Sequence, residues 1–416
     1  MPTNRPHIAL TLLACFVPLS LALNLFNFFW MDAVFAIVTI VALCFSEKSW
    51  NDIRSTFGFN NKFLLLCLGA YLGSGILGYF FNSPMQMHEW SKIASLRWIW
   101  GFFACFSVGH LLAVNSKKFN WSFSTLIVIL AWIIYRQYNL TSGEFITPDH
   151  RLQGFYSNPN YFALALVLVW AMVLSFVLYS KDCPSRTSAI LVLIMATIAL
   201  IATYTRTSWI GMFCTLMVAL FYTKNKKAIA ISGITFALFA AAVVFNFFEL
   251  KDRILYTFDF SGVNSQIARL TIWKVSWQVF LDHPLFGVGF ENAAKLFPAY
   301  YVKLGHANQY VVGHAHNQFL DILAGAGIFG LAGYLGAFGG GLVFFYRSFR
   351  STAELHKKQL SLGSILCIVA LFACSWTETP FVQHEVRNFI LILLGFSYGY
   401  LDGVPKQHTK PQNEPA

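Results

Sequence analysis

Charge is scarce in this chain. Asp, Glu, Lys and Arg make up 11% of its 416 residues, where soluble globular proteins carry roughly a quarter. That deficit excludes a soluble globular domain, and dividing the length into soluble-domain units has no meaning here. Acidic residues are the scarcer kind, 18 against 29 basic ones. The positive excess is scattered between apolar segments rather than gathered on one face, which argues against a nucleic-acid surface and leaves membrane topology and anion binding as its uses. No CxxC pair occurs among the eight cysteines. All but one of them (Cys15, Cys44, Cys67, Cys105, Cys214, Cys367 and Cys374) lie in apolar runs, where cysteine behaves as a small hydrophobe. A disulfide framework and a zinc site are both disfavoured. Also absent are an Asp-x-Asp pair to hold a metal with a nucleotide sugar, a GxxxxGK[ST] phosphate loop, a GxSxG elbow and any internal repeat. Nucleotide-driven chemistry on the cytoplasmic side has no residues to carry it.

What the chain has is apolar length. Hydrophobic residues reach 57%, with 43 Phe and 12 Trp, as suits lipid-facing helices with aromatic belts. A hydrocarbon core about 30 Å thick takes about 20 apolar residues per helix. By that measure the fold class is an all-α polytopic integral membrane protein with about 12 transmembrane helices. They fall near residues 8–26, 29–46, 62–81, 98–114, 121–137, 160–179, 187–204, 207–223, 228–247, 316–346, 359–377 and 387–402. The first run has no small-residue cleavage site behind it and reads as a retained span rather than a removed signal.

Basic clusters at Lys48, Arg54 and Lys62, at Lys224, Lys226 and Lys227, and at Arg347, Arg350, Lys357 and Lys358 then orient the chain. Lys and Arg concentrate in cytoplasmic loops, so both termini are expected inside. The expected division is 1–247, transmembrane helices 1–9; 248–315, one large non-cytoplasmic loop; 316–402, helices 10–12; and 403–416, a polar, Pro-containing tail read as disordered. Within the loop, Ile267, Leu270, Trp273, Trp277, Phe280 and Leu281 recur at helical spacing, which predicts an amphipathic helix on the membrane surface. Pro284 and two glycines stop it.

On this topology the ionisable residues gather at the outer edge. Arg206 stands between two apolar runs with almost no loop, Arg269 lies in the surface helix, and His314 and His316 close the large loop. Arg151 and Arg97 read more readily as interface anchors, and Glu378 precedes the last span. A guanidinium is a planar fork suited to phosphate oxygens, so Arg206 and Arg269 are candidate clamps for a lipid-linked phosphate. A neutral imidazole takes a proton from a hydroxyl near pH 7. The alternative use of His-x-His is a metal, with His306 or Asp321 added, and no carboxylate cluster supports it. Gly327, Gly330, Gly333, Gly336 and Gly339 repeat every three residues and predict close helix packing in lipid.

The stretch HNQFLDILAGAGIFG, His316 to Gly330, resembles the signature of the O-antigen ligase family: His, then Asn, Ser or Gln, nine residues, and Gly-x-x-Gly, here Gly327 and Gly330. TRTSWIG, ARLTIWKVSWQVFLDHPLFGVG and GFYSNPNYFA are similar to pieces of the wider ligase and polymerase superfamily. The resemblance implies a GT-C-like, metal-independent, inverting glycosyltransferase at the periplasmic face of the bacterial inner membrane. It would need no cofactor and would move a glycan from undecaprenyl pyrophosphate to a sugar of lipid A–core. It implies His316 as the catalytic base and Arg206 and Arg269 as pyrophosphate ligands, with His314, Asn317, Arg151 and Glu378 in supporting roles. The apolar groove between spans would admit the polyprenyl tail. An O-antigen polymerase, a protein O-oligosaccharyltransferase and, from another class, a lipid or sugar transporter are the competing readings. A transporter is disfavoured because charge in mid-span and paired repeats are missing.

Overall fold

The computed structural model describes residues 62–82, 98–114, 124–140, 151–180, 183–223, 226–246, 250–255, 265–309, 311 and 313–403. The spans expected at 8–26 and 29–46, Arg97 and the tail beyond 403 lie outside them. Among the described residues the regular structure is helical: α1 (Lys62–Asn82), α2 (Ile99–Val114), α3 (Ser124–Leu140), α4 (Pro159–Tyr179), α5 (Cys183–Ala202), α6 (Arg206–Thr223), α7 (Lys226–Val244), α8 (Leu250–Leu255), α9 (Ser265–Asp282), α10 (Ala293–Lys303), α11 (Gln318–Ser351), α12 (Leu355–Ser375) and α13 (His384–Asp402). Each span expected from residue 62 onward coincides with one of these. Among the described residues α1, α4, α11 and α12 are, by length and composition, apolar enough to cross a membrane.

α4 is the axis of the bundle. Its sequence PNYFALALVLVWAMVLSFVLY has no charged side chain, and nearly every residue from Phe162 to Leu178 is buried. A helix apolar all round belongs inside, and α5, α6, α12 and α13 pack around it. The local start is encoded: the Asn158 side chain accepts from the Asn160 N–H and Pro159 opens the first turn. At 21 residues it is about 31 Å long, enough to span a bilayer core.

α11 is broken near its start. Gly327 has φ 64° and ψ −165°, a conformation essentially reserved for glycine, so residues 318–326 and 328–351 form two arms. The backbone groups released by the break are taken up by the HPLFGVG segment after α9. Val288 and Gly289 N–H donate to the Ala324 and Gly325 carbonyls at 3.0 and 2.8 Å, and Ile328 N–H donates to the Pro284 carbonyl at 2.9 Å. The Ser74 hydroxyl of α1 donates to the Ala326 carbonyl. Gly327 therefore does more than the close packing expected of it: it is a junction. Gly333 does act as expected, since a Cβ there would lie 2.5 Å from the Cys67 carbonyl of α1.

α9 is helical as predicted, but its core face is different. Ile272, Val275 and Val279 are buried against Ala293, Phe297 and Tyr301 of α10 and Ala324 of α11. Leu270, Trp277 and Leu281, half of the stripe read from the sequence, are exposed. The helix is apolar on two sides, and the larger side chains dominated the periodicity while the smaller β-branched ones fill the interior. Below this region α1, α2, α11 and α13 enclose a narrow apolar groove of about 60 Å³, lined by Leu64, Phe102, Phe338 and Leu394 among others.

Candidate active site

The outer-edge residues singled out in the sequence converge at one end of the bundle. The N-termini of α4, α6, α11 and α13 meet there with the C-termini of α5 and α12, and α9, packed on α11, reaches them through Arg269. At the centre is Glu378, in the turn after α12, only 2% exposed. Its Oε1 accepts from Arg269 Nη2 at 2.8 Å and from Asn160 Nδ2 at 3.2 Å. Its Oε2 lies 3.0 Å from His316 Nδ1. Burial alone would raise the Glu378 pKa; the hydrogen bond and charge of His316 and the charge of Arg269 outweigh it and hold the carboxyl below its ordinary value. An ionised carboxylate only accepts, so Nδ1 of His316 is the donor. In the neutral imidazole Nε2 is then the acceptor nitrogen, the form a base needs.

His316 is held by backbone as well as by Glu378. Its φ is 47°, in the left-handed region that costs a non-glycine residue roughly 1–2 kcal/mol. The next residue locks it. Asn317 caps α11, its Oδ1 accepting from Phe319 and Leu320 N–H, while its Nδ2 donates to the Trp376 carbonyl at 3.1 Å. The same cap thus ties the His316 turn to the turn that carries Glu378. His314 packs beside His316, ring centroids 4.1 Å apart. Its pKa is pushed down to about 4 by burial first, then by the charges of His316 and Arg269, against the opposing pull of Glu378.

A second tier surrounds the carboxylate. Arg151 donates from Nη2 to Asn160 Oδ1 at 2.6 Å and to Thr205 Oγ1 at 3.0 Å, and from Nε to the Thr203 carbonyl at 2.8 Å. Arg151, read from the sequence mainly as an anchor, therefore orients Asn160 towards Glu378. Arg206 is the first residue of α6 and half-buried. Its neighbours touch this network on both sides: Thr205 bonds Asn160, and Thr207 bonds Thr377 at 2.6 Å. Asn160 is the residue the sequence reading missed. In SNPN it reads as a turn former, and only the fold brings it to a carboxylate 218 residues away.

Ligand atoms of His314, His316 and Glu378 lie within 4.8 Å of one another, a trio different from the His306 and Asp321 additions considered from sequence. Both carboxylate oxygens are already engaged, and one of them holds a guanidinium. That fixed positive charge beside the same oxygen opposes a cation, so the donor set suits an acid–base pair better than a metal.

The comparison with known proteins agrees with the resemblance read from the motifs. Residues 190–335 match the O-antigen ligase family. The ligase-family segment contains Arg206, Arg269, His314, His316 and Asn317, while Arg151, Asn160 and Glu378 come from outside it. The chain is also similar to the teichuronic acid biosynthesis protein TuaE of Bacillus subtilis (strain 168), 25% identical over an alignment covering 60% of this chain. The match takes in 56% of that relative's length. The match of residues 190–335 to the ligase family, together with the apolar helices, points to a membrane protein.

Proposed function

We propose that the protein is an O-antigen ligase. It would transfer a glycan from undecaprenyl pyrophosphate to a sugar hydroxyl of lipid A–core at the periplasmic face of the inner membrane, with both termini cytoplasmic and about twelve spans. The observation that carries this is the buried Glu378 shared between His316 and Arg269, within reach of a ligase-family segment. His316 Nε2 takes the proton of the acceptor hydroxyl. The hydroxyl oxygen bonds the anomeric carbon from the face opposite the leaving group, and the bond from that carbon to the pyrophosphate oxygen breaks, so configuration inverts. Glu378 stabilises the imidazolium that forms, as the orienting carboxylate does in a hydrolase triad. Arg206 and Arg269 take the growing charge of the pyrophosphate, which removes the need for a metal. Four converging helix N-termini against two C-termini leave a net partial positive charge at the same end. Arg151, Asn317 and His314 position these groups.

The relative's name, a teichuronic acid biosynthesis protein, favours a second reading, assembly of another polymer; in it the same chemistry would join one lipid-linked glycan to the next. Deletion in the host followed by lipopolysaccharide electrophoresis separates the two. A ligase deletion loses all capped core and retains polymer on the lipid carrier; core capped with a single repeat instead would identify a polymerase. In the complemented strain His316→Ala is expected to lower transfer by about 10²–10⁴-fold, the usual contribution of a general base. Wild-type transfer by that variant removes the base from the mechanism.

A further inference from the structure

A polar chamber of about 290 Å³ opens beside His314, near the small end of ligand-binding cavities, ~300 Å³. Neither His316, Arg269 nor Glu378 lines it. Its polar wall is formed by His314, Gln318, Asp321, Glu291 and Arg387. Its other wall is aromatic: Trp98, Tyr71, Phe290 and Phe381. Two features show that this space is shaped in advance. Glu291 is held at φ 60°, directly after the Gly287–Gly289 stretch that bonds the broken arm of α11. Gln318 is fixed by accepting the Phe381 N–H at 2.7 Å. The Arg387 guanidinium lies 5.3 Å from the Trp98 ring centroid and donates to the Phe381 carbonyl at 3.4 Å. One group stands out: His314 Nε2 is buried and has no hydrogen-bond partner among the described residues. A buried polar nitrogen left unpaired is costly unless a ligand completes it.

We propose that this chamber is the acceptor subsite and that its occupant is a neutral sugar ring, seated between the aromatic wall and the two carboxylates with a hydroxyl presented to His314. The inference rests on the glycosyl-transfer reading above and adds to it the place and chemical class of the second substrate. Two carboxylates against one guanidinium disfavour a pyrophosphate here, whereas sugar hydroxyls donate to carboxylates and sugar faces lie on aromatic rings. The His314 and His316 rings, tilted against each other with centroids 4.1 Å apart, put such a hydroxyl one ring away from the Arg269–Glu378 pair. The two substrates then approach the histidines from different walls: the anionic donor from the arginine side, the neutral acceptor from the carboxylate side. Tyr71, Trp98 and Phe381 also line the apolar groove, so a prenyl pyrophosphate threaded up from the groove is the rival occupant.

The test reads binding without turnover. The full chain in lipid nanodiscs is titrated with a panel of neutral methyl hexosides and, separately, with geranylgeranyl pyrophosphate, both followed by saturation-transfer NMR. At least one hexoside is expected to bind. Asp321→Asn combined with Glu291→Gln, which keep side-chain shape and remove charge, weakens it about tenfold or more, as the loss of charge-assisted hydrogen bonds requires, and leaves the prenyl pyrophosphate unchanged. Arg269→Gln has the reverse pattern. If the pair does not fold, Glu291→Gln alone, at an exposed position, carries the same expectation. A wild type that binds no hexoside overturns the subsite, as do chamber variants that weaken the prenyl pyrophosphate instead. Failure of the transferase reading looks different: membranes containing the wild-type protein form no glycosidic bond, while hexoside binding in the chamber persists.

Discussion

A carboxylate as buried as Glu378 must be either protonated or surrounded by donors, and it takes the second course with Arg269, Asn160 and His316. Glu378→Gln is therefore expected to lower kcat on the order of 100-fold or more, because the amide no longer stabilises the imidazolium. It also leaves Arg269 without its counter-charge, so the KM for the lipid-linked donor changes as well. Glu378→Asp recovers part of kcat; equal loss in both variants, with an unchanged donor KM, would argue for a purely structural role. The same residues give a pH dependence. His314 holds a proton less readily in the folded protein, at about 4 against an ordinary 6.5, so the unfolded chain binds more protons between those values. Stability present above about pH 6.5 is then lost as pH falls towards 4. The lowered Glu378 adds its own loss below the ordinary carboxyl range. Thermal unfolding across pH 3–8 checks this: His314→Gln flattens the fall between 6.5 and 4, and a flat wild-type profile refutes it. Residue identity made His316, Arg269 and Glu378 legible in the sequence, because charge is costly in an apolar chain. Asn160 was not legible, because an uncharged turn former carries no such signal.

At the scale of elements, the break in α11 decides the architecture of the site. Its first arm, capped by Asn317, presents His316, and its second arm runs along α1. The HPLFGVG segment fills the gap between them and carries Glu291 to the chamber. Gly327→Ala would force a side chain into a positive-φ position and place its Cβ 2.3 Å from the Leu285 carbonyl. A loss of about 2 kcal/mol or more is expected, above the typical single-site effect. Gly339→Ala, with nothing within 4 Å of the added Cβ, should stabilise by up to about 0.5–1 kcal/mol. Unfolding of the two variants in the same detergent measures both, and equal effects would remove the junction role from Gly327. The sequence showed the glycine repeat and the stop after α9 separately. That one repairs the hydrogen bonds of the other is invisible along the chain, since the pairing joins residues some forty positions apart.

At the scale of the molecule, all the site-bearing helix ends lie at one end of the bundle, and the described basic residues Arg186, Lys226, Arg347, Arg350, Lys357 and Lys358 occupy helix ends connected to the other. That separation supports the topology proposed from charge. Outside the bundle, Leu270, Trp277 and Leu281 of α9 leave an apolar face exposed, which fits a helix resting on the membrane surface. Trp277→Asp with Leu281→Asp is expected to cut transfer several-fold in lipid nanodiscs while shifting stability by only about 0.5 kcal/mol, as surface changes do. Val275→Asp, on the buried face, should instead destabilise by several kcal/mol. If the two variants lose stability equally, the exposed face belongs to the fold and not to lipid. The sequence by itself determined that the chain is helical and apolar, as a membrane protein is, and that its candidate histidines and arginines gather at span ends. These follow from local composition and from the cost of charge in an apolar segment. Only the tertiary structure decided that Glu378 is shared between His316 and Arg269, that α9 packs by its smaller side chains, and that a chamber with unpaired His314 opens beside the pair. Each of these depends on contacts between distant segments, where direction and distance, and not residue type, set the outcome.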